Sequence, residues 1–168
     1  MINALISRSE HQLGAPLDYL RFIARTSFAA FVKFLGFMPL SSHRQSLPKP
    51  LWHAARIAAT LEEDCGTCVQ ITVNQALQEG VSAALVQAVV KQQLAALPED
   101  MQQIIRYAQA VTRRDDLFIA EMCPKLMAAY GEAALTDLAL GIATARVYPS
   151  VKRALGMAVS CSQVEVKY

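Results

Sequence analysis

The chain has 168 residues, 54% hydrophobic and only 18% charged, with mean hydropathy +0.26, seven glycines and seven prolines. That length suits one domain with a substantial core, and the composition excludes a disordered chain and argues against a hairpin-rich β fold. A net charge of +2 gives no phosphate-tracking surface, so no nucleic-acid partner is expected.

Apolar periodicity near 3.6 runs through most of the chain, which predicts an all-α protein. A first helix over 2–13 ends at Gly14, Pro16 opens a second, and Thr26-Ser27 splits residues 16–38 into two helices. This stretch holds Phe22, Phe28, Phe31, Phe34 and Phe37, the last four spaced by three. Such spacing spreads the rings around a helix, as expected of a segment wedged between its own domain and a neighbouring subunit, of an apolar-substrate pocket or of a membrane-surface contact. After Pro48 and Pro50 the pattern predicts helices over 50–61 and 65–79, separated by the acidic corner Glu62-Glu63-Asp64 and stopped by Gly80. Ser82 caps the next helix, Pro98 starts another that ends near Arg113–Asp116, and Pro124 divides the segment that follows. A last strong helix covers 132–148, a short one 149–155, and the tail has no clear pattern.

The window Phe28–Leu40 is too short to span a bilayer, and the start of the chain is interrupted by charge too early for a secretory signal. The expected location is the cytoplasm, with no membrane span. The low charged fraction leaves apolar surface to be covered, which predicts a homo-oligomer. Residues 1–56 carry seven Lys/Arg against two Asp/Glu, a basic third able to orient a partner.

In a reducing compartment four cysteines do not form a structural disulfide framework, and a close pair is reactive or metal-binding. Cys65-Gly66-Thr67-Cys68 is that pair. Two cysteines three apart in a first helical turn reach bridging distance, and the helix amino-terminus favours thiolate over thiol. Asp64 is positioned to cap the helix, while Glu62 and Glu63 oppose thiolate formation unless offset. Zinc is disfavoured, because Cys123 and Cys161 are isolated and no His pair has ligand spacing; no metal or other cofactor is expected. The helical spacing of Leu51, Ala54, Ala58 and Leu61 argues against the buried strand that precedes a thioredoxin CxxC. Two passive core cysteines remain an alternative, since Leu61, Cys65, Cys68 and Thr72 share one face of a continuous helix. Cys123 reads as a small core residue, and Cys161 in the tail as a site for an intermolecular bridge.

A helix, a CxxC opening the next helix and a glycine stop, followed by more helices, resembles the alkylhydroperoxidase D-like branch of the carboxymuconolactone decarboxylase superfamily over residues 48–157. The family's Glu, CxxC, His and Gly fall on His53, Cys65, Cys68, Thr72 and Gly80, and Tyr148–Gly156 looks like its final helix. Both cysteines and the glycine match, whereas His53 and Thr72 replace the relay glutamate and histidine. The resemblance implies a single-domain helical bundle of residues 48–157, an amino-terminal helical extension of residues 1–47 and a tail of residues 158–168. It further implies a trimer or hexamer, and a peroxidase or disulfide reductase that uses Cys65 and Cys68 on a hydroperoxide or disulfide. A dithiol protein or small thiol would reset the pair. A proton carrier is still needed; His53 is the first candidate, Glu62 the second, and Thr72 can relay but not act as a base. Two other readings stay open: a non-catalytic binding module built on residues 16–38, and an enzyme on small lactone-like acids using Arg56, Arg106 or Arg146.

Overall fold

A computed structural model describes residues 2–158 and 164–166, and among them only helices and connecting turns occur. The amino-terminal third forms α1 (Ile2–Leu13), α2 (Asp18–Thr26), α3 (Phe28–Leu35) and the one-turn α4 (Met38–Ser41). Ser27 makes the break between α2 and α3: its backbone is extended and its hydroxyl accepts from the Ala30 N–H at 3.2 Å. Pro16 lies before the amino-terminal flank of α2, at Leu17, and not within its first turn.

The remainder is built on α5 (Lys49–Leu61), in which every residue from Leu51 to Thr60 is buried. A helix buried on all sides must be surrounded, and α6 (Gly66–Gln78), α7 (Ala83–Val90), α8 (Glu99–Arg113) and α10 (Glu132–Ala154) pack around it. A short 3-10 turn, Leu94–Ala96, follows α7, and α9 (Asp116–Tyr130) packs on α8 and α10. Ala54, Ala55, Ala58 and Ala59 keep the surface of α5 thin, so neighbours approach closely. At Gly141 of α10 an added Cβ would stand 2.7 Å from Trp52 Nε1.

Two prolines expected to break helices do not. Pro124 lies inside α9, and Pro149 inside α10, which runs unbroken through 132–154. Each costs one backbone hydrogen bond, offset by the packing of the helix on both sides of the proline. Two caps also differ. Ser82 flanks α7 without a side-chain cap bond, and Asp64 sits at φ 46° in the corner before α6, whose flanking position belongs to Cys65.

The extension has an apolar cluster of its own, Ile6, Leu17, Tyr19, Leu20 and Phe31, against which Ile71 of α6 and Tyr148, Val151 and Leu155 of α10 pack. Its junction with α5 is fixed by Asp137 of α10, whose Oδ2 accepts the backbone N–H groups of Gln45, Ser46 and Leu47 at 2.9, 2.6 and 2.9 Å. Residues 164–166 dock on α6 through reciprocal hydrogen bonds between the Gln70 amide and the Glu165 backbone. Cys161 lies outside the described residues. Among them, no helix is long and apolar enough to cross a membrane.

Candidate functional site

The turn Glu62-Glu63-Asp64 joins α5 to α6, and the left-handed Asp64 delivers Cys65 to the flank of α6. The backbone closes the first turn with Cys68 N–H donating to the Cys65 carbonyl at 2.9 Å. The two Cα atoms stand 5.3 Å apart and the sulfurs are joined as a disulfide, within the ordinary span of such bridges. Cys65 is 1% exposed and Cys68 5%. Both sulfurs are therefore shut off from bulk water on the outer surface.

Cys68 borders a cavity of about 430 Å³ between the extension and the core, inside the size range of small-molecule sites, ~300–1,000 Å³. Helices α1 to α4 supply one wall, with Leu5, Leu13, Leu20, Phe31, Phe34 and Met38. The other wall comes from the core: Arg56 and Thr60 of α5, Cys68, Thr72 and Gln75 of α6, and Tyr148 and Lys152 of α10. Positions 56 and 60, 68, 72 and 75, and 148 and 152 are helical-face repeats, so three helices each present one polar stripe to the same space.

The acidic corner that opposes a thiolate is neutralised by arginines. Glu62 takes both nitrogens of the Arg113 fork, at 2.8 and 2.7 Å, and Glu63 is buried between Arg146 Nε at 2.6 Å and Arg153 Nη1 at 3.2 Å. Arg153 also donates to the Glu63 carbonyl. This clamp ties the end of α10 to the turn that carries the cysteines. No sequence spacing pointed to it, because Arg146 and Arg153 stand more than eighty positions away.

The expected proton carriers are not gathered at the sulfurs. His53 is fully buried, with its ring edge-on to Trp52 at 4.9 Å, and it does not line the cavity. Its Nε2 lies 3.3 Å from Glu79 Oε2 without hydrogen-bond alignment. Burial lowers its pKa to about 4 against the pull of Glu79, so the ring is neutral at pH 7. Glu62 faces Arg113 and does not line the cavity either. Thr72 does line it, one turn beyond Cys68, with its hydroxyl donating to the Val69 carbonyl at 2.8 Å. Of the three arginines considered for small acids, Arg56 reaches the cavity, Arg146 is held by Glu63, and Arg106 is exposed elsewhere. Cys123 is partly buried and packs on the core.

Sequence reasoning missed Tyr19, Gln75, Tyr148 and Lys152, which supply polar groups to the cavity lining. The signal for Tyr148 and Lys152 was their i, i+4 spacing on an otherwise apolar helical face. Comparison with protein-family models, with curated proteins and with solved structures finds no match.

Proposed function

We propose that the chain is a thiol oxidoreductase of the alkylhydroperoxidase-like kind, which reduces hydroperoxides or disulfides by cycling Cys65 and Cys68 between dithiol and disulfide. One observation carries this reading: the pair stands at bonding distance at the amino-terminus of α6, and Cys68, but not Cys65, borders the cavity. A helix amino-terminus stabilises a thiolate in its first turn, and the arginines on Glu62 and Glu63 remove the charge that would oppose it.

In the cycle the Cys68 thiolate attacks the terminal oxygen of a hydroperoxide. The O–O bond breaks, the alcohol departs after taking up a proton, and Cys68 becomes a sulfenic acid. The Cys65 thiol then attacks that sulfur, water leaves, and the disulfide closes. A dithiol protein or small thiol restores the pair by exchange, carrying the oxidation away on its own sulfurs. In this cycle Thr72, which lines the cavity one turn beyond Cys68, would relay a proton through its hydroxyl. The cycle needs no metal, flavin or nucleotide and belongs in a reducing compartment such as the cytoplasm. The subunits assemble as a trimer or hexamer; exposed Phe28, Val32 and Leu40, which do not line the cavity, support a covered apolar face.

The test is a thiol count with mass mapping on reduced protein, before and after one equivalent of cumene hydroperoxide. Two thiols are expected to vanish, to map to a Cys65–Cys68 bridge and to return with dithiothreitol. In Cys65→Ser a dimedone-trappable sulfenic acid is expected at Cys68. Thiols at 65 and 68 that persist through the oxidant would overturn the reading. They would favour a non-catalytic binding module, a reading supported by His53 and Glu62 not lining the cavity.

A further inference from the structure

The cavity beside Cys68 has a charge pattern that the redox cycle does not use. Three cations line it, Arg8, Arg56 and Lys152, and no carboxylate does among the described residues. Arg8 is exposed, but Arg56 and Lys152 are each only 5% exposed. Neither has an ion-pair partner among the described residues. Glu79 and Asp18 act on them only from beyond ion-pair distance. What each does have is a ring: the Arg56 guanidinium lies 4.4 Å from the centre of Trp52, and Lys152 Nζ lies 5.2 Å from that of Tyr19.

A ring face holds a cation loosely and leaves its N–H donors free. Arg56 Nε is buried without a hydrogen-bond partner, as is Gln75 Oε1 on the facing helix. Burial lowers Arg56 to about 10 and draws Lys152 downward as well, with Arg56 still cationic at neutral pH. Lone buried charges are strongly unfavourable unless something completes them. Tyr148 links the two cations only through neighbours: it acts electrostatically on Arg56 and on Tyr19, the ring that carries Lys152, it precedes Lys152 by one turn of α10, and its hydroxyl donates to Ser41 Oγ at 2.8 Å. The cavity also has an apolar wall that includes Leu13, Leu20, Phe31 and Phe34.

We propose that this cavity binds an amphipathic carboxylate, its head group between Arg56 and Lys152 and its apolar body along α1 to α4, so that the oxidant presented to Cys68 is a hydroperoxide borne on such a molecule; the last clause rests on the redox reading of the cysteine pair. A carboxylate matches a guanidinium fork and supplies the missing counter-charge, while the volume accommodates a chain of about ten carbons.

Calorimetric titration of the disulfide form with decanoate, 1-decanol and butanoate tests the anchor apart from turnover. Decanoate is expected to bind at least tenfold more tightly than 1-decanol, and butanoate not measurably. Arg56→Gln and Lys152→Gln should each weaken decanoate about tenfold or more and leave 1-decanol unchanged. The comparison of ligands on the unaltered protein decides the matter even where a variant does not fold. Decanoate binding no tighter than 1-decanol, or no binding of either, overturns the proposal. If the pair cycles with cumene hydroperoxide while decanoate and decanol bind alike, this inference alone fails. If decanoate is selected but the thiols resist every hydroperoxide, the redox reading fails and the carboxylate site stands.

Discussion

Asp137 shows how much one side chain holds in place. It is 1% exposed, accepts three backbone N–H groups from residues 45–47, and has His43 Nε2 at 3.5 Å. Burial works against its charge, but those donors and His43 outweigh it and keep the carboxyl below its ordinary 3.8. Hydrogen bonds to a charged group contribute about 1.5–3 kcal/mol, so Asp137→Asn is expected to lower unfolding stability by about that much in urea titration at pH 7. The sign with pH follows from a depressed folded pKa. The contribution is full above 3.8 and is lost as pH falls through the folded value, so the variant should shed part of the acid sensitivity that the unaltered protein shows below about pH 4. Equal stability of the two proteins at pH 7 would show that the junction does not depend on this carboxylate.

Among the elements, α5 and α10 set the geometry of the site, because each carries cavity residues on one face and core contacts on the others. Their contact is close where Gly141 meets Trp52, a ring 2% exposed and enclosed by the core. Replacing glycine by alanine inside a helix gains about 1 kcal/mol of propensity. Overpacking an enclosed contact costs about 1–3 kcal/mol, and a Cβ 2.7 Å from a rigid indole belongs at the upper end of that range. Gly141→Ala is thus expected to lose about 1–2 kcal/mol net, and Gly141→Val more. The single tryptophan makes this measurable, since its fluorescence should shift as the ring is displaced. An alanine variant as stable as the parent, with unchanged emission, would show that α5 and α10 have room to slide.

At the scale of the whole molecule, the extension hides its inner face in the cavity wall and leaves its outer face bare. Phe28 is 60% exposed and Val32 50%, and the exposed Leu40 lies close in sequence beyond them. A trimer or hexamer built on this face should appear in sedimentation velocity at micromolar concentration. Val32→Asp combined with Phe28→Asp should shift it to smaller species with helix content unchanged. A monomer at those concentrations would remove the oligomeric part of the proposal.

Helix positions were largely legible in the amino-acid pattern, because capping, glycine stops and 3.6-residue periodicity are local. Ser27, Gly14 and Gly80 mark boundaries that need no distant contact to operate. Pro124 and Pro149 misled for the opposite reason: the cost of a proline is local, but the burial that outweighs it belongs to the tertiary structure. The cysteine pair was equally legible, since a spacing of three within one helical turn already brings sulfurs together. The sequence by itself determined an all-helical chain with a bridgeable dithiol at a helix start. Only the tertiary structure decided what surrounds that dithiol. It set His53 in the core beside Trp52, gave Glu62 and Glu63 to arginines from other helices, and brought Arg56, Tyr148 and Lys152 to one cavity roofed by the extension. Those juxtapositions join residues far apart in the chain, ninety positions for Glu63 and Arg153 and more for Arg56 and Lys152, and no periodicity encodes which helix faces meet, because that is settled by the packing of all the faces at once.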